Sequence, residues 1–279
     1  MIPLPRLDLM IAYSCNLQCK GCISLSDFKR DGIESFENIK TYIDEWKNRI
    51  TPAIVTVFGG EPCLHPDLQD ICFYIHDAWP NSTIRLITNG YLLDAFDPKI
   101  WFNFPKFEIQ VSVHRKDQEH IINSKIKNIL LQSKKWQVSK NNVSADHRQI
   151  SWSLPNITIY KSIFKDFIVP FKLVNNKISF WSSDYKQAHA ICGSPNTPVL
   201  HKGLLYKCPP VANVFDLTQR TFAGYVGVPS TAAPTTLTDF VNNIGKPELV
   251  CGQCPNKSQA VIVDHMDSKN VINKQKNIN

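Results

Sequence analysis

The chain has 279 residues, of which 43% are hydrophobic and 20% charged, and its formal net charge is +7. These proportions are typical of a soluble globular protein that buries an α/β core, and they exclude a disordered chain. No apolar run approaches the roughly 18 residues of a transmembrane helix, and residues 1–13 lack the pattern of a secretory signal. We therefore expect a cytoplasmic protein. The basic residues are scattered, so neither a nucleic-acid partner nor membrane binding is predicted.

Strands and helices are predicted to alternate along the first two thirds of the chain. The predicted strands cover 7–13, 53–58, 84–88, 107–113, 149–154 and 177–181, and the predicted helices cover 36–49, 66–78, 117–132 and 160–169. Such alternation favours a parallel sheet of right-handed βαβ units. About six units precede Cys192, which predicts an α/β fold of the partial (β/α)6 TIM-barrel type, with its site at the carboxyl ends of the strands.

The last third of the chain differs in composition. Residues 1–185 are predicted to form the barrel, and residues 186–267 a small second domain. Its Pro-, Thr-, Gly- and Ala-rich stretch at 224–236 is too irregular for a large core of its own, so a metal site would have to supply stability. The Asn- and Lys-rich residues 268–279 are predicted to be a disordered tail.

Nine cysteines without an export signal argue against a disulfide framework. Three of them, Cys15, Cys19 and Cys22, form a C-x3-C-x2-C motif directly after the first predicted strand. Three thiolates on one loop can hold three irons of a [4Fe–4S] cluster and leave the fourth iron open. The alternative is a zinc site.

This motif resembles the signature of the radical S-adenosylmethionine (SAM) superfamily. The resemblance implies that Cys15, Cys19 and Cys22 hold a [4Fe–4S] cluster whose open iron binds SAM. An electron passed into the sulfonium then yields a 5′-deoxyadenosyl radical. One departure is Gly21, since the superfamily usually has an aromatic residue before the last cysteine.

The resemblance further implies SAM contacts where the second, third and fourth strands end. The residues concerned are Gly59, Gly60, Glu61, Pro62, Thr88, Asn89, Ser112 and His114. The first four match a GGEP motif that receives the methionine amino group of SAM. Glycines allow close backbone approach, and a carboxylate can accept hydrogen bonds from an ammonium group. Ordinary strand-to-helix turns are the alternative.

Four cysteines in the last third form two pairs, C-x10-G-x4-C at Cys192 and Cys208, and C-x2-C at Cys251 and Cys254. Four thiolates can hold zinc or a fully ligated [4Fe–4S] cluster, and spacing alone does not separate these metals. The pattern resembles the SPASM domain of radical SAM enzymes in its shortened twitch form. That resemblance implies one auxiliary [4Fe–4S] cluster.

An auxiliary cluster implies a small-molecule oxidoreductase (dehydrogenase), since the cluster can accept an electron from a substrate radical. A flavodoxin- or ferredoxin-type protein would donate the first electron. The peptide-modifying enzymes that this chain resembles often carry an N-terminal peptide-recognition domain. Since only six residues precede the first predicted strand, we expect no such domain here, which favours a small-molecule substrate over a peptide. Asp184 and Tyr185 follow the sixth predicted strand and are candidate catalytic residues. The alternatives are a peptide- or nucleoside-modifying radical SAM enzyme and a non-catalytic zinc-binding interaction protein.

Overall fold

The computed structural model describes residues 1–28, 30–97, 101–115, 117, 119–132, 137–142, 148–163, 166–174, 177–218, 224–264 and 269–270. The strands are β1 (Ile2–Leu4), β2 (Leu7–Ala12), β3 (Leu17–Gln18), β4 (Ile50–Pro52), β5 (Ile54–Gly59), β6 (Thr83–Thr88), β7 (Phe107–Val113), β8 (Gln137–Asn142), β9 (Arg148–Ser153), β10 (Ile157–Ile163), β11 (Asp166–Ile168), β12 (Lys172–Val174), β13 (Lys177–Ser179), β14 (Val199–His201), β15 (Leu204–Tyr206), β16 (Val228–Pro229), β17 (Ile262–Asp264) and β18 (Lys269–Asn270). The helices are α1 (Phe36–Trp46), α2 (Leu68–Ala78), α3 (Glu119–Leu131), α4 (Tyr185–Ala190), α5 (Pro209–Thr218) and α6 (Pro234–Asn242). None of the helices in these residues is long and apolar enough to cross a bilayer.

A mixed ten-stranded sheet organises the α/β fold, in the order β16-β15-β14-β2-β5-β6-β7-β10-β9-β8. The six strands from β14 to β10 in this order pair in parallel. Antiparallel strands extend both edges, β9 and β8 on one side and β15 and β16 on the other. The carboxyl ends of β2, β5, β6 and β7 therefore meet at one edge of the sheet.

Two apolar clusters cover the two faces of the sheet. On one face, Leu9 of β2 and Val57 of β5 pack with Trp46 of α1, Ile71 of α2 and Ile126 of α3. Helix α1 is predicted correctly, because its apolar residues recur at helical spacing. Ser35 caps this helix, since its hydroxyl accepts a hydrogen bond from Asn38 N at 3.2 Å. On the other face, residues from β2 and β5 pack with the last third of the chain.

The predicted units after β7 need correction. The helix predicted at 160–169 is wrong: 157–163 is strand β10, whose residues Ile157 and Ile159 are buried at every second position, a spacing typical of a strand. The strand predicted at 149–154 is confirmed as β9, but it is antiparallel. The strand predicted at 177–181 is the short β13, which among the described residues pairs with β12 alone. Five parallel strands of the main sheet therefore precede Cys192, rather than six.

The sixth parallel strand, β14, comes from the cysteine-rich last third of the chain. It pairs in parallel with β2 and antiparallel with β15, across a two-residue turn at Lys202 and Gly203. Both turn residues have positive φ, 49° and 77°, as the tight hairpin turn requires. The hairpin therefore extends the main sheet, and the boundary after residue 185 and the partial barrel remain predictions. Of the predicted tail, only 269–270 are described, paired with β3; the rest lies outside the described residues.

Candidate functional site

One cavity of about 540 Å³ lies at the carboxyl edge of the parallel strands. Both cysteine groups of the sequence line it, together with most of the predicted SAM contacts. The lining residues that the sequence predicted are Cys15, Cys19, Cys22, Gly59, Gly60, Thr88, Asn89, Ser112, His114, Cys192, Cys208, Cys251 and Cys254. All seven of these cysteines are free of disulfides. Segments almost 240 residues apart in the sequence thus meet around one space.

The loop after β2 carries the first three cysteines. Its turns are closed by backbone hydrogen bonds, such as Cys22 N to Cys19 O at 3.3 Å, and Leu17 N donates to Cys15 Sγ at 3.4 Å. Burial raises the pKa of the Cys15 and Cys22 thiols, and the carboxylate of Glu61 raises that of Cys15 further. Thiols with raised pKa values lose their protons more readily beside a cation, and a bound metal would act as that cation because it favours the deprotonated sulfur. The donor set therefore fits an iron–sulfur cluster.

The two glycines at the end of β5, Gly59 and Gly60, allow close approach of the backbone at Ala12–Ser14, which leads into the cysteine loop. Gly60 N donates to Ala12 O at 2.8 Å. A Cβ at Gly59 would collide with the backbone of Ala12, and one at Gly60 with the carbonyl of Ser14. The Gly-Gly pair is thus required by close approach of the backbone that precedes Cys15.

Glu61 lies behind the cavity wall and links the residues after β5 to the end of β6 by hydrogen bonds. Its side chain is fully buried, and neither it nor Pro62 lines the cavity. One carboxylate oxygen accepts from Cys63 N at 3.0 Å and from the Thr88 hydroxyl at 2.7 Å, and the other accepts from Asn89 N at 2.8 Å. Burial raises the pKa of Glu61, and these hydrogen bonds oppose the increase. A direct SAM contact of Glu61 stays a prediction, while its visible role is to position the end of β6.

Asn89 connects that strand end to the cysteine loop. Its amide Nδ2 donates to Asn16 Oδ1 at 2.6 Å and lies 3.9 Å from Cys15 Sγ. The motifs that follow β2, β5 and β6 are therefore linked through Glu61 and Asn89 into one assembly.

Gln110 and Ser112 of β7, together with His114 directly after this strand, line the cavity at every second position. Burial lowers the pKa of His114 to about 4, so its imidazole is neutral at pH 7. The ring of His114 lies beside that of Phe167 from β11, with centroids 5.9 Å apart. Neither Gln110 nor Phe167 was predicted from the sequence. For Phe167 the reason is that only the fold brings β11 to this edge.

The four cysteines of the last third line the same cavity. Cys208 directly precedes α5, and Cys251 lies in a 3-10 helix, Leu249–Gln253, that Cys254 follows. Burial raises the pKa of Cys208 to about 12 and also raises that of Cys254, and the neighbouring thiols add to both increases. Such mutual repulsion between thiolates is what a shared cationic metal group relieves. Within the described ranges, no three His, Cys, Asp or Glu side chains converge tightly enough to hold a single metal ion.

The structure places the predicted catalytic pair away from the cavity. Asp184 is exposed and caps α4, where it accepts from Lys186 N at 3.0 Å and from Gln187 N at 2.9 Å, and Tyr185 does not line the cavity either. A catalytic role for Asp184 and Tyr185 stays a prediction, and the visible role of Asp184 is to cap the helix. One turn further along α4, His189 does line the cavity.

Lys207, next to Cys208, is a buried cation in the cavity wall. Its Nζ donates to Glu248 Oε1 at 2.5 Å and to Lys246 O at 2.6 Å. The pairing neutralises the charge and ties the Cys208 segment to the one that carries Cys251.

A polar network joins the cysteine loop to α5. Arg30 donates to Asp216 at 2.9 Å and also bonds Asn213, whose amide reaches Ile23 O at 3.3 Å. Burial alone would raise the pKa of Asp216, but hydrogen bonds and charges, chiefly from His201, outweigh it and lower that pKa to about 2. The network therefore fixes the loop after Cys22 against the helix after Cys208.

Comparisons with known proteins agree with the first half of the site. The Radical SAM superfamily profile matches residues 9–120. The GTP 3′,8-cyclase of Sulfurovum sp. (strain NBC37-1) is 33% identical over 101 residues, 34% of this chain and 29% of that protein. The S-adenosylmethionine-dependent nucleotide dehydratase of Selenomonas ruminantium is 29% identical over 109 residues, 38% of each chain. This chain thus spans less than two fifths of these curated relatives.

Two solved structures are similar to this chain over different lengths. The crystal structure of BtrN in complex with AdoMet and 2-DOIA covers 91% of this chain and 94% of its own, with 14% identity and a TM-score of 0.49. Native anSMEcpe with bound AdoMet covers 44% of this chain and 39% of its own, with 22% identity and a TM-score of 0.34.

The family match spans the three-cysteine loop, the Gly-Gly-Glu-Pro turn and the ends of β6 and β7, which are the segments that meet at the cavity. Over residues 9–120, this chain is therefore similar to the radical SAM superfamily.

Proposed function

We propose that this protein is a radical SAM oxidoreductase that acts on a small molecule and carries two [4Fe–4S] clusters. Cys15, Cys19 and Cys22 would hold the cluster that binds SAM, and the four later cysteines would hold an auxiliary cluster. The observation that carries this proposal is the single cavity lined by all seven thiols.

When SAM and the first cluster are bound, they supply a 5′-deoxyadenosyl radical that removes a hydrogen atom from the substrate. The residues around this position support such a role. Gly59, Gly60 and Asn89 line the cavity beside the cysteine loop, and Glu61 fixes Asn89 through its backbone N–H. The largely apolar remainder of the lining would exclude water from a reactive radical.

A second cluster bound by the later cysteines would supply an electron acceptor, as a two-electron oxidation of the substrate requires. Cys192, Cys208, Cys251 and Cys254 offer four thiolates, enough to close a cluster completely. Lys207 lies in the wall beside them and its charge is balanced by Glu248, so it would hold the two cysteine segments in place.

A second candidate function is modification of a nucleotide. It is favoured by the names of the similar curated proteins, a GTP 3′,8-cyclase and a nucleotide dehydratase. In that case the auxiliary site would bind or orient the substrate instead of oxidising it.

The first experiment tests SAM cleavage in anaerobically reconstituted protein. We expect reductant-dependent formation of 5′-deoxyadenosine that is lost in Cys19→Ala and retained in Cys72→Ala, since Cys72 is buried in the apolar core away from the cavity. Normal SAM cleavage by the Cys19 variant would contradict the proposed site.

The second experiment tests the auxiliary cluster. We expect about eight irons per chain in the wild type and about four in a Cys208→Ala/Cys254→Ala variant, which should still form 5′-deoxyadenosine. Wild-type protein with about four irons and tightly bound zinc would contradict the auxiliary cluster. Wild-type protein with zinc and no iron would contradict the entire proposal.

The third experiment separates the two candidate functions. Deuterated polyols or aminocyclitols and deuterated nucleotides are supplied in turn, and label is measured in 5′-deoxyadenosine. Label from a polyol with an oxidised product supports the oxidoreductase, whereas label from nucleotides alone supports the second candidate.

A further inference from the structure

The side of the cysteine loop at Gly21 is closed by residues from far along the chain. Gly21 has φ +73°, and a Cβ there would lie 3.2 Å from Phe167 Cβ and 3.3 Å from Val263 Cγ2. Phe167 and Val263 are paired residues of the antiparallel β11–β17 ribbon. The space that a side chain at position 21 would use is therefore occupied by this ribbon.

Phe167 presents an aromatic surface to the cavity. It lines the cavity, and its ring and that of His114 have centroids 5.9 Å apart with planes inclined by 36°. The two rings come from β11 and from the residue that directly follows β7, and both lie in the wall of the cavity beside the cysteine loop.

The chemistry of this wall is uncharged. Burial lowers the pKa of His114 to about 4, so the imidazole is neutral at pH 7. Gln110 and Ser112 of β7 lie at alternate positions before His114 and also line the cavity. They offer amide and hydroxyl groups for hydrogen bonds. Aromatic faces bordered by such groups bind flat heterocycles by stacking and by hydrogen bonds to their edges.

We propose that Phe167 and His114 form the binding wall for a purine ring, with Phe167 providing the surface that Gly21 cannot. The inference rests on the proposed function, because that function brings a purine to the cavity. The purine could come from SAM itself or from a nucleotide substrate, and the shared chemistry is a flat, uncharged base.

The test measures binding to the reconstituted protein by equilibrium dialysis, with S-adenosylhomocysteine for one source and GTP for the other. Phe167→Leu keeps apolar bulk but removes the aromatic face, whereas Phe167→Tyr keeps that face. The matched control is Phe73→Leu, which alters a phenylalanine on α2 that stacks on Phe104 and does not line the cavity. Circular dichroism and iron content verify that each variant is folded and loaded.

We expect Phe167→Leu to bind at least one of the two ligands about tenfold more weakly, the size typical of one lost stacking contact. Phe167→Tyr and Phe73→Leu should bind like the wild type. Loss confined to S-adenosylhomocysteine identifies the purine as that of SAM, and loss confined to GTP identifies it as that of a substrate. If Phe167→Leu binds both ligands like the wild type, the wall is refuted, while SAM cleavage by the same variant leaves the proposed function standing.

Discussion

Glu61 is the residue whose replacement tests the architecture of the site most directly. Its carboxylate is fully buried and accepts hydrogen bonds from Cys63 N, the Thr88 hydroxyl and Asn89 N. In Glu61→Gln, one carboxylate oxygen becomes an amide that donates instead of accepting. The amide must then face at least one of these donors, and the end of β6 loses a fixed contact.

The magnitude follows from the number of donors left without an acceptor. One lost hydrogen bond to a buried charged group costs about 1.5–3 kcal/mol. Removal of the buried charge returns part of this, since burial raises the pKa of Glu61 and so penalises its charged form. We expect a net loss of about 1–2 kcal/mol for Glu61→Gln. Glu61→Ala should lose about 3–5 kcal/mol, because all three donors are unpaired and a cavity remains.

Urea unfolding of the iron-free protein, followed by circular dichroism, measures these free energies. The control is Glu37→Gln, since the side chain of Glu37 is 80% exposed and its loss should change stability by about 0.5 kcal/mol or less. The reasoning is refuted if Glu61→Gln unfolds at the same urea concentration as Glu37→Gln, or if the Ala variant is no less stable than the Gln variant.

Two further predictions concern close approach and charge. Gly60→Ala should destabilise the fold by about 1–3 kcal/mol, because its Cβ would collide with the carbonyl of Ser14. Gly193→Ala should have little effect, since no atom outside the adjacent residues lies within 4 Å of the added carbon. Equal urea midpoints for the two variants would contradict this difference. The pKa of Asp216 is lowered from its ordinary value of 3.8 to about 2 in the folded protein. The stability that its carboxylate contributes is therefore present above about pH 4 and is lost as the pH falls toward 2. The difference in unfolding free energy between the wild type and Asp216→Asn should therefore shrink over that range, and a difference that stays constant from pH 5 to pH 2.5 would contradict the predicted linkage.

The chemistry of the first cysteine group could be predicted from the sequence because it is local. Three cysteines within eight residues, directly after a strand, share one loop in any fold that keeps the strand. The Gly-Gly-Glu-Pro and Thr-Asn-Gly turns could likewise be placed at strand ends, and the parallel order of the strands then brings those ends to one edge. Short apolar or β-branched runs also indicated strands at β2, β5, β6 and β7, and helical spacing of apolar residues indicated α1 and α2.

Predictions failed where one local pattern fits two structures. Residues 157–163 alternate in burial as a strand, yet part of this segment read as a helix, because a short run of mixed polar and apolar residues has no clear period. For Asp184, the sequence could not show that its side chain caps α4. Its actual direction depends on which residue starts α4, and sequence patterns determine such boundaries poorly.

By itself, then, the sequence determined which thiols, glycines and carboxylates are available, and how those on a single loop are spaced. Only the tertiary structure decided which of them share a cavity, that Glu61 turns behind its wall, and that Phe167 covers Gly21 from 146 positions further along the chain. The physical reason is that contacts between distant segments depend on the packing of the whole sheet, which no local pattern of residues encodes.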